Sequence, residues 1–254
     1  MSAPGAIPVA GGTVFAVRAP TAGAVWLCLF DGAQERRVPM QRDGVTWTAT
    51  IAGAGAGTLY GYRTDADPAK LLVDPDAVML DRAFVYDAAL GRPGAETGAL
   101  VPRAIVSAPL APLDLPPLFR AGGLIYELNV RGFTMRHPDV PAAQRGTIAA
   151  LAHQAVIAHL KALHVAAVEL MPVVAWIDER HLPPLGLSNA WGYNPVVPMA
   201  LDPRLAPGGV AELRAALVCE AKVLGGATAA NRVPGAGWRA AMHHLSESFF
   251  YQNV

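Results

Sequence analysis

The first hundred residues consist of short apolar or alternating segments that are separated by turn signals. Five of these segments have the pattern of β-strands: residues 13–18, 24–30, 35–40, 45–51 and 58–63. Asp31-Gly32 and Asp43-Gly44 mark tight turns between them. Pro39 cannot donate to a β-ladder, which places the third segment at a sheet edge. Short strands at close intervals predict an antiparallel β-sandwich of the immunoglobulin-like kind.

From residue 124 the pattern changes to longer apolar runs with a helical repeat between them. Residues 124–130 and 165–172 are almost continuously apolar, which is typical of strands that are buried on both faces. Thr147 is the candidate cap of the helix between them. The apolar positions of this helix recur near the 3.6-residue period: Ile148, Leu151, Ala152, Ala155, Val156, Leu160 and Leu163. A second amphipathic helix begins at Gly208-Gly209, and the resulting βαβα order predicts parallel pairing of the two strands.

Composition narrows the class of protein and of partner. Of 254 residues, 53% are hydrophobic and 16% are charged, which indicates a folded globular protein. Acidic and basic residues balance at 20 each, so nucleic acid and anionic membranes are poor partner candidates. The N-terminus lacks the features of a signal peptide and no run of about 18 apolar residues occurs, so we expect a soluble, cytoplasmic protein. Cys28 and Cys219 are expected to be free thiols.

The segment Trp191-Gly192-Tyr193-Asn194-Pro195 has the clearest chemical character. Two aromatic side chains flank a glycine, and the proline prevents a helix from continuing. A sugar ring has apolar C–H faces and a rim of hydroxyls, so an exposed aromatic ring beside an amide suits it. The alternative, which is more common for such a segment, is a packed turn without a ligand.

Three segments of the second half resemble one enzyme family in the same order. They are Ile125 to Thr134, Val168 to Val173 and Leu187 to Ala206. In these segments the chain resembles the isoamylase-type glycogen debranching enzymes of glycoside hydrolase family 13, the α-amylase superfamily. The first half is similar to the family-48 carbohydrate-binding modules that precede the barrel of such enzymes, through residues 25–31, 44–47, 60–63 and 68–75. The segment between Tyr62 and Pro68 is shorter than in that family.

The resemblance implies a multidomain chain with three regions. Residues 1–112 are a carbohydrate-binding β-sandwich with its connector, residues 113–217 are the first βαβα part of a truncated (β/α)8 barrel, and residues 218–254 are a divergent tail. In the superfamily the catalytic carboxylates come from the fourth and fifth barrel strands, whereas the resemblance here ends after the second. We therefore expect no catalytic residue, cofactor or metal in this chain. A frameshifted or truncated gene is favoured over a naturally short protein.

The family's activity is hydrolysis of α-1,6-glucosidic bonds with retention, and the implied partners are glycogen, limit dextrin and maltooligosaccharide. The chain on its own is expected to be inactive. Two alternatives stay open: a non-catalytic α-glucan-binding protein, and a fragment of a maltooligosyl-trehalose hydrolase or branching enzyme.

Four residues are the candidate substrate-binding side chains. Tyr193 is carried over from the superfamily, where a tyrosine at this place stacks on the sugar that precedes the cleaved bond. Trp191 is expected to support the same loop, and Asn194 to offer amide hydrogen bonds to hydroxyls. In the sandwich, Trp47 is the candidate for glycan stacking because threonines flank it, whereas Trp26 is expected in the core.

The remaining polar candidates receive structural interpretations. Glu127 and Glu169 lie within the two apolar strands and are expected to make buried hydrogen bonds. Residues 178–181 are expected to form a charged, solvated loop. His243-His244 and Glu247 have metal-ligand spacing on one helical turn, but no third ligand lies near them, so a solvated tail is favoured over a metal site.

Overall fold

The computed structural model describes residues 3–111 and 122–224, with side chains up to Leu217. Residues 3–111 form two antiparallel sheets. In chain order the strands are β1 (Gly5–Val9), β2 (Gly12–Arg18), β3 (Val25–Asp31), β4 (Gln34–Pro39), β5 (Gln41–Asp43), β6 (Thr46–Ala52), β7 (Leu59–Thr64) and β8 (Ala104–Ile105). The sheet orders are β1-β2-β6-β5 and β4-β3-β7-β8. The five predicted strands are confirmed, and β4 lies at the predicted sheet edge.

The side-chain pattern does not indicate three of the eight strands in this range. β1 contains Gly5 and Pro8, β5 is three exposed polar residues, and β8 is two residues within an alanine- and proline-rich connector. Each pairs along one neighbour, β1 with β2, β5 with β6 and β8 with β7. These three strands therefore form because their backbones pair with an adjacent strand. The alternation of their side chains does not predict this pairing.

The core of the sandwich lies between the two sheets. Phe15 on β2 and Tyr60 on β7 pack edge to face, with ring centroids 4.9 Å apart. Val25 and Leu27 on β3 are buried beside them. Two glycines with positive φ, Gly32 at 55° and Gly44 at 64°, turn the chain at the predicted hairpins.

Residues 122–224 form mixed α and β structure. In chain order the elements are β9 (Leu124–Leu128), α1 (Val130–Thr134), α2 (Ile148–Leu151), α3 (Gln154–Ala162), β10 (Val165–Leu170), β11 (Val174–Trp176), β12 (Pro195–Leu201) and α4 (Gly209–Leu224). β9 and β10 pair in parallel, as predicted. The predicted first helix is divided into α2 and α3, and α4 continues past the predicted tail boundary at residue 218. None of the described helices is long and apolar enough to cross a membrane.

Capping of α2 differs from the prediction. Thr147 occupies the N-cap position, but its hydroxyl donates to the carbonyl of Gln144 at 2.8 Å and makes no cap hydrogen bond. The carboxylate of Glu212 on α4 accepts instead from the amide of Ala149 at 2.9 Å and from that of Gly208 at 2.8 Å. One glutamate thus satisfies free amides at the N-termini of two helices, which ties α4 to α2.

The two parallel strands are not equally buried. Leu124 and Ile125 of β9 are each 51% exposed, so the expectation that this strand is covered on both faces is wrong. Val165, Ala167 and Val168 of β10 are buried. Among the described residues β9 and β10 form a sheet of only two strands, and no further layer covers the outer face of β9.

The antiparallel hairpin of β11 and β12 joins the two halves of the molecule. Ala175, Val197 and Ala200 are fully buried within the hydrophobic core of the sandwich. Trp176 and Leu201 of the same hairpin pack into the second core, beneath the helices. The sandwich core thus includes residues from far beyond the predicted boundary at residue 112.

Candidate functional site

The loop between β11 and β12 presents two aromatic side chains to solvent. Trp191 is 64% exposed and Tyr193 is 58% exposed. Leu185 and Leu187, in the same loop, are 68% and 56% exposed. A turn that served only packing would bury these side chains, because each removes a large apolar area from water. The packed-turn alternative therefore does not describe Trp191 and Tyr193.

Gly192 explains how both neighbouring rings can point outward. Its φ is 79°, a left-handed conformation that side chains other than glycine's rarely adopt. A Cβ at this position would lie 2.9 Å from the carbonyl oxygen of Pro172 and 3.5 Å from the Trp176 ring. The backbone at Gly192 therefore lies directly against the end of the β10–β11 connection, with Trp191 and Tyr193 on either side.

Asn189 holds the loop through its side chain and its backbone. Its Oδ1 accepts from the amides of Trp191 at 3.0 Å and Gly192 at 2.9 Å. Its Nδ2 donates to Glu179 at 3.1 Å, and its own amide donates to Asp178 at 2.7 Å. The indole nitrogen of Trp176 donates to the Asn189 carbonyl at 3.0 Å. Asn189 was not among the site residues predicted from the sequence.

The charged segment 178–181 is only in part the solvated loop that we expected, because Arg180 and His181 are exposed whereas its two carboxylates are not. Asp178 and Glu179 are half-buried and accept hydrogen bonds from Asn189, so their carboxylates shape the aromatic loop. Asn194 also serves this loop, because its Nδ2 donates to the carbonyl of Ile177 at 3.0 Å. That donor is engaged within the protein, although Asn194 was predicted to bind hydroxyls.

Residues from both sides of the hairpin support Trp176. The guanidinium carbon of Arg204 lies 3.9 Å from the centroid of the Trp176 ring, a cation–π arrangement. Arg204 also donates to both oxygens of the fully buried Asp202, at 2.8 Å each.

Asn129, at the end of β9, donates to the carbonyl of Ala190 at 3.0 Å. The carboxyl end of the first parallel strand is thereby linked to the loop that carries Trp191.

The structure differs from the prediction for both tryptophans of the sandwich. Trp47 is only 6% exposed, and its indole nitrogen donates to the carbonyl of Ala19 at 3.0 Å. It shares the inward face of β6 with Ala49 and Ile51, so its ring offers no free face for a sugar. Trp26, expected in the core, is half-buried. Trp47 as a stacking residue is therefore wrong.

Two neighbouring carboxylates come together on the parallel strands. Glu127 and Glu169 are register partners of β9 and β10, although 42 residues separate them in the sequence. Both are exposed, so the predicted buried hydrogen bonds are wrong. Register partners in a sheet point to the same face, so these carboxylates lie side by side and not across a cleft.

A buried ion-pair network lies on the outer face of the second sheet. Arg63 is 1% exposed and donates to Glu35 at 2.8 and 2.7 Å and to Glu96 at 2.7 and 3.2 Å. Burial alone would raise the pKa of Glu35, but hydrogen bonds from Arg63 and Arg37 lower this pKa to about 2. Burial, with the neighbouring Glu35, raises the pKa of the Cys28 thiol to about 12. Cys28 is therefore a structural residue and not a nucleophile at neutral pH.

No cluster of three or more histidine, cysteine, aspartate or glutamate side chains suited to a metal ion occurs among the residues that the structure describes. The weaker candidates His243, His244 and Glu247 lie outside the described residues. Cys219 lies in α4, where only the backbone is described.

Most of the chain is similar to proteins of known class. Residues 4–77 match the family Carbohydrate-binding module 48 (Isoamylase N-terminal domain). Among solved structures, pullulanase from Anoxybacillus sp. LM18-11 complexed with maltotriose has a TM-score of 0.63 and 25% identity, and the match covers 89% of this chain and 33% of that one. The catalytic module of the glycogen-degrading pneumococcal virulence factor SpuA shares the fold with a TM-score of 0.68 at 22% identity, over 90% of this chain and 37% of that one.

Residues 4–77 are therefore similar to the carbohydrate-binding modules of family 48. The chain as a whole is 40% identical over 230 residues to a glycogen debranching enzyme of Yersinia enterocolitica, a match that covers 80% of this chain and 34% of that enzyme. A glycogen debranching enzyme of Yersinia pseudotuberculosis is 39% identical over 225 residues, again covering 80% and 34%. These matches confirm the resemblance found in the sequence. The chain spans about a third of the length of the curated relatives it matches.

Proposed function

We propose that this chain binds α-glucan through the exposed Trp191–Tyr193 loop and its family-48 module. In this proposal it is part of a debranching hydrolase that cleaves α-1,6-glucosidic bonds with retention. The observation that carries the proposal is the pair of exposed aromatic rings, 64% and 58% exposed, on a loop fixed by partly buried hydrogen bonds. The similarity to glycogen debranching enzymes supports α-glucan as the ligand.

The position of the loop agrees with this role. Residues 122–224 have the order expected of the first βαβα part of a (β/α)8 barrel, and β9 and β10 pair in parallel. Active sites of such barrels lie at the carboxyl ends of the strands. The aromatic loop lies between β11 and β12, which come after β10 in the chain. The carbonyl of Ala190 in this loop accepts a hydrogen bond from Asn129, which lies at the carboxyl end of β9. Aromatic faces there would stack on the apolar faces of glucose units.

The chain as it stands is proposed to bind without hydrolysing. Retaining glycosidases place a nucleophile and an acid about 5 Å apart on opposite sides of the scissile bond. Glu127 and Glu169 instead lie on one face of neighbouring strands. A non-catalytic α-glucan-binding protein is the second candidate function, and the match of residues 4–77 to a binding module favours it.

We expect the purified 254-residue chain to release no linear maltooligosaccharides from glycogen or limit dextrin. The assay is chromatography of the products after long incubation. The matched control is the Glu127→Gln/Glu169→Gln double variant, which removes the only in-register carboxylate pair of the two parallel strands. Release by the unmodified chain that this variant abolishes would contradict the proposed inactivity.

Loss of either exposed ring should weaken glucan binding. Trp191→Ala and Tyr193→Ala are each expected to lower the affinity for maltoheptaose roughly five- to tenfold, because an aromatic contact contributes on the order of 1 kcal/mol. Isothermal titration calorimetry measures the affinity. Val85→Ala, at a 70% exposed position of the sandwich, is the control and should leave the affinity unchanged. Equal affinities for all four proteins would contradict a role for the loop.

A further inference from the structure

We propose that Asn189 is a positioning residue that sets the arrangement of the Trp191-Gly192-Tyr193 segment for glucan. Its consequence for ligand affinity rests on the proposed function. Its effect on the conformation of the loop does not depend on that function, so ligand affinity and loop conformation are measured in separate experiments.

The exposed rings cannot be fixed by their own packing. Trp191 and Tyr193 leave more than half of their surface in solvent, so contacts with neighbouring side chains hold them only in part. Their direction is set by the backbone from which they project. Gly192, between them, imposes no restriction of its own, since glycine populates many conformations.

The side-chain oxygen of Asn189 constrains the backbone of this segment. Oδ1 of Asn189 accepts from two successive amides, those of Trp191 and Gly192, at 3.0 and 2.9 Å. Successive amides that converge on one acceptor fix the peptide planes of the segment, as in an Asx turn. The Trp191 ring and the backbone leading to Tyr193 are thereby oriented together.

The remaining contacts of Asn189 fix that atom in turn. Nδ2 donates to Oε1 of Glu179 at 3.1 Å, which sets which end of the amide faces the loop. The second oxygen of Glu179, Oε2, is buried without a hydrogen-bond partner. Burying a carboxylate in this way is costly, and the bond from Asn189 offsets part of the cost. The backbone of Asn189 is held by Asp178 and by the Trp176 indole.

This arrangement requires an amide and excludes a carboxylate at position 189. An aspartate would keep an acceptor oxygen for the two amides but lose the donor to Glu179. It would also add a third carboxylate beside Asp178 and Glu179, and like charges in a half-buried site repel. If Glu179 becomes glutamine at the same time, the new amide can donate to the carboxylate introduced at position 189, and the site again holds two carboxylates.

The first experiment measures the loop without any ligand. Hydrogen exchange of the peptide spanning residues 187–194 is followed in the full chain, in Asn189→Asp and in the Asn189→Asp/Glu179→Gln double variant. We expect exchange in Asn189→Asp to be about tenfold faster, because repulsion from Asp178 and Glu179 displaces the new carboxylate and weakens its hydrogen bonds from the two amides. The double variant should return to within about twofold of the unmodified chain. Equal exchange in all three proteins would overturn the positioning role.

The second experiment measures maltoheptaose binding by the same three proteins. Asn189→Asp should weaken binding about as much as Trp191→Ala, and the double variant should restore it. A general loss of folding would not be rescued by the second substitution, so recovery distinguishes positioning from structural damage. If the unmodified chain binds no maltoheptaose, the proposed function fails while the exchange result still decides the role of Asn189. If binding weakens in Asn189→Asp without recovery in the double variant, the proposed amide–carboxylate contact is wrong.

Discussion

Replacing Asp74 with asparagine is expected to stabilise the β-sandwich by roughly 2–4 kcal/mol at pH 8, because the substitution removes a buried charge for which the described residues provide no cationic partner. Asp74 is fully buried, and it accepts from the hydroxyl of Tyr60 at 2.6 Å and from the amide of Asp76 at 2.9 Å. Burial raises the pKa of Asp74 to about 7, although these two hydrogen bonds oppose the rise. Tyr62 and the carboxylate of Asp76 are the other titratable groups that act on Asp74.

The direction of the pH effect follows from this raised pKa. The folded protein binds the Asp74 proton more tightly than the unfolded chain, whose aspartate has a pKa near 3.8. Stability therefore falls as the pH rises from about 4 to about 7, and the penalty is complete above pH 7. Glu35 acts in the opposite sense, since its pKa is lowered to about 2 and its contribution is lost only as the pH falls below about 4.5. The two effects occupy different pH windows.

Urea unfolding at pH 5 and pH 8 measures the effect of Asp74. The unmodified sandwich should be less stable at pH 8 than at pH 5, and this difference should largely vanish in Asp74→Asn. Asp31→Asn is the matched control, because it removes an exposed carboxylate at the end of β3. If Asp74→Asn keeps the full difference between the two pH values, or destabilises the protein at both, the buried-charge explanation is wrong.

Hydrophobic pattern predicted the elements whose signal is local. Parallel pairing of residues 124–128 with 165–170 followed from two apolar runs with a helix between them. The inward position of Trp47 was also available, since Trp47, Ala49 and Ile51 alternate along β6 and face the core. The flanking threonines had instead favoured an exposed position for Trp47. In β3 the continuous apolar run contains no alternation, so it gave no means to place Trp26.

The support of the aromatic loop was harder to predict. Asn189 bonds to Asp178 and Glu179, which are 11 and 10 residues away, and these contacts exist only once β11 and β12 have paired. One part of the site did have a local signature. An asparagine whose oxygen accepts from amides two and three residues later is an Asx turn, and Asn189 precedes Trp191 and Gly192 at that spacing. Glu212, which caps a helix 63 residues away, has no such signature.

The packing of the β11–β12 hairpin changes what is expected of the sandwich as an isolated domain. The strands of residues 3–111 complete two four-stranded sheets, so we expect a fragment of residues 1–110 to unfold cooperatively. It loses the cover of Ala175, Val197 and Ala200, each of which is fully buried in its core. The fragment should therefore be less stable than the same strands in the whole chain, because apolar surface becomes exposed.

Val197→Asp tests this coupling within the whole chain. A charge in the sandwich core has no partner there, so we expect a loss of about 4 kcal/mol in the free energy of unfolding. The effect should appear as faster hydrogen exchange in β3 and β7, more than 130 residues earlier in the sequence. Val85→Asp makes the same substitution at a 70% exposed position and should change stability little. Faster exchange in β9, β10 and the helices, with β3 and β7 unchanged, would show that the hairpin belongs energetically to the second core alone, and that the aromatic loop is not anchored on the sandwich.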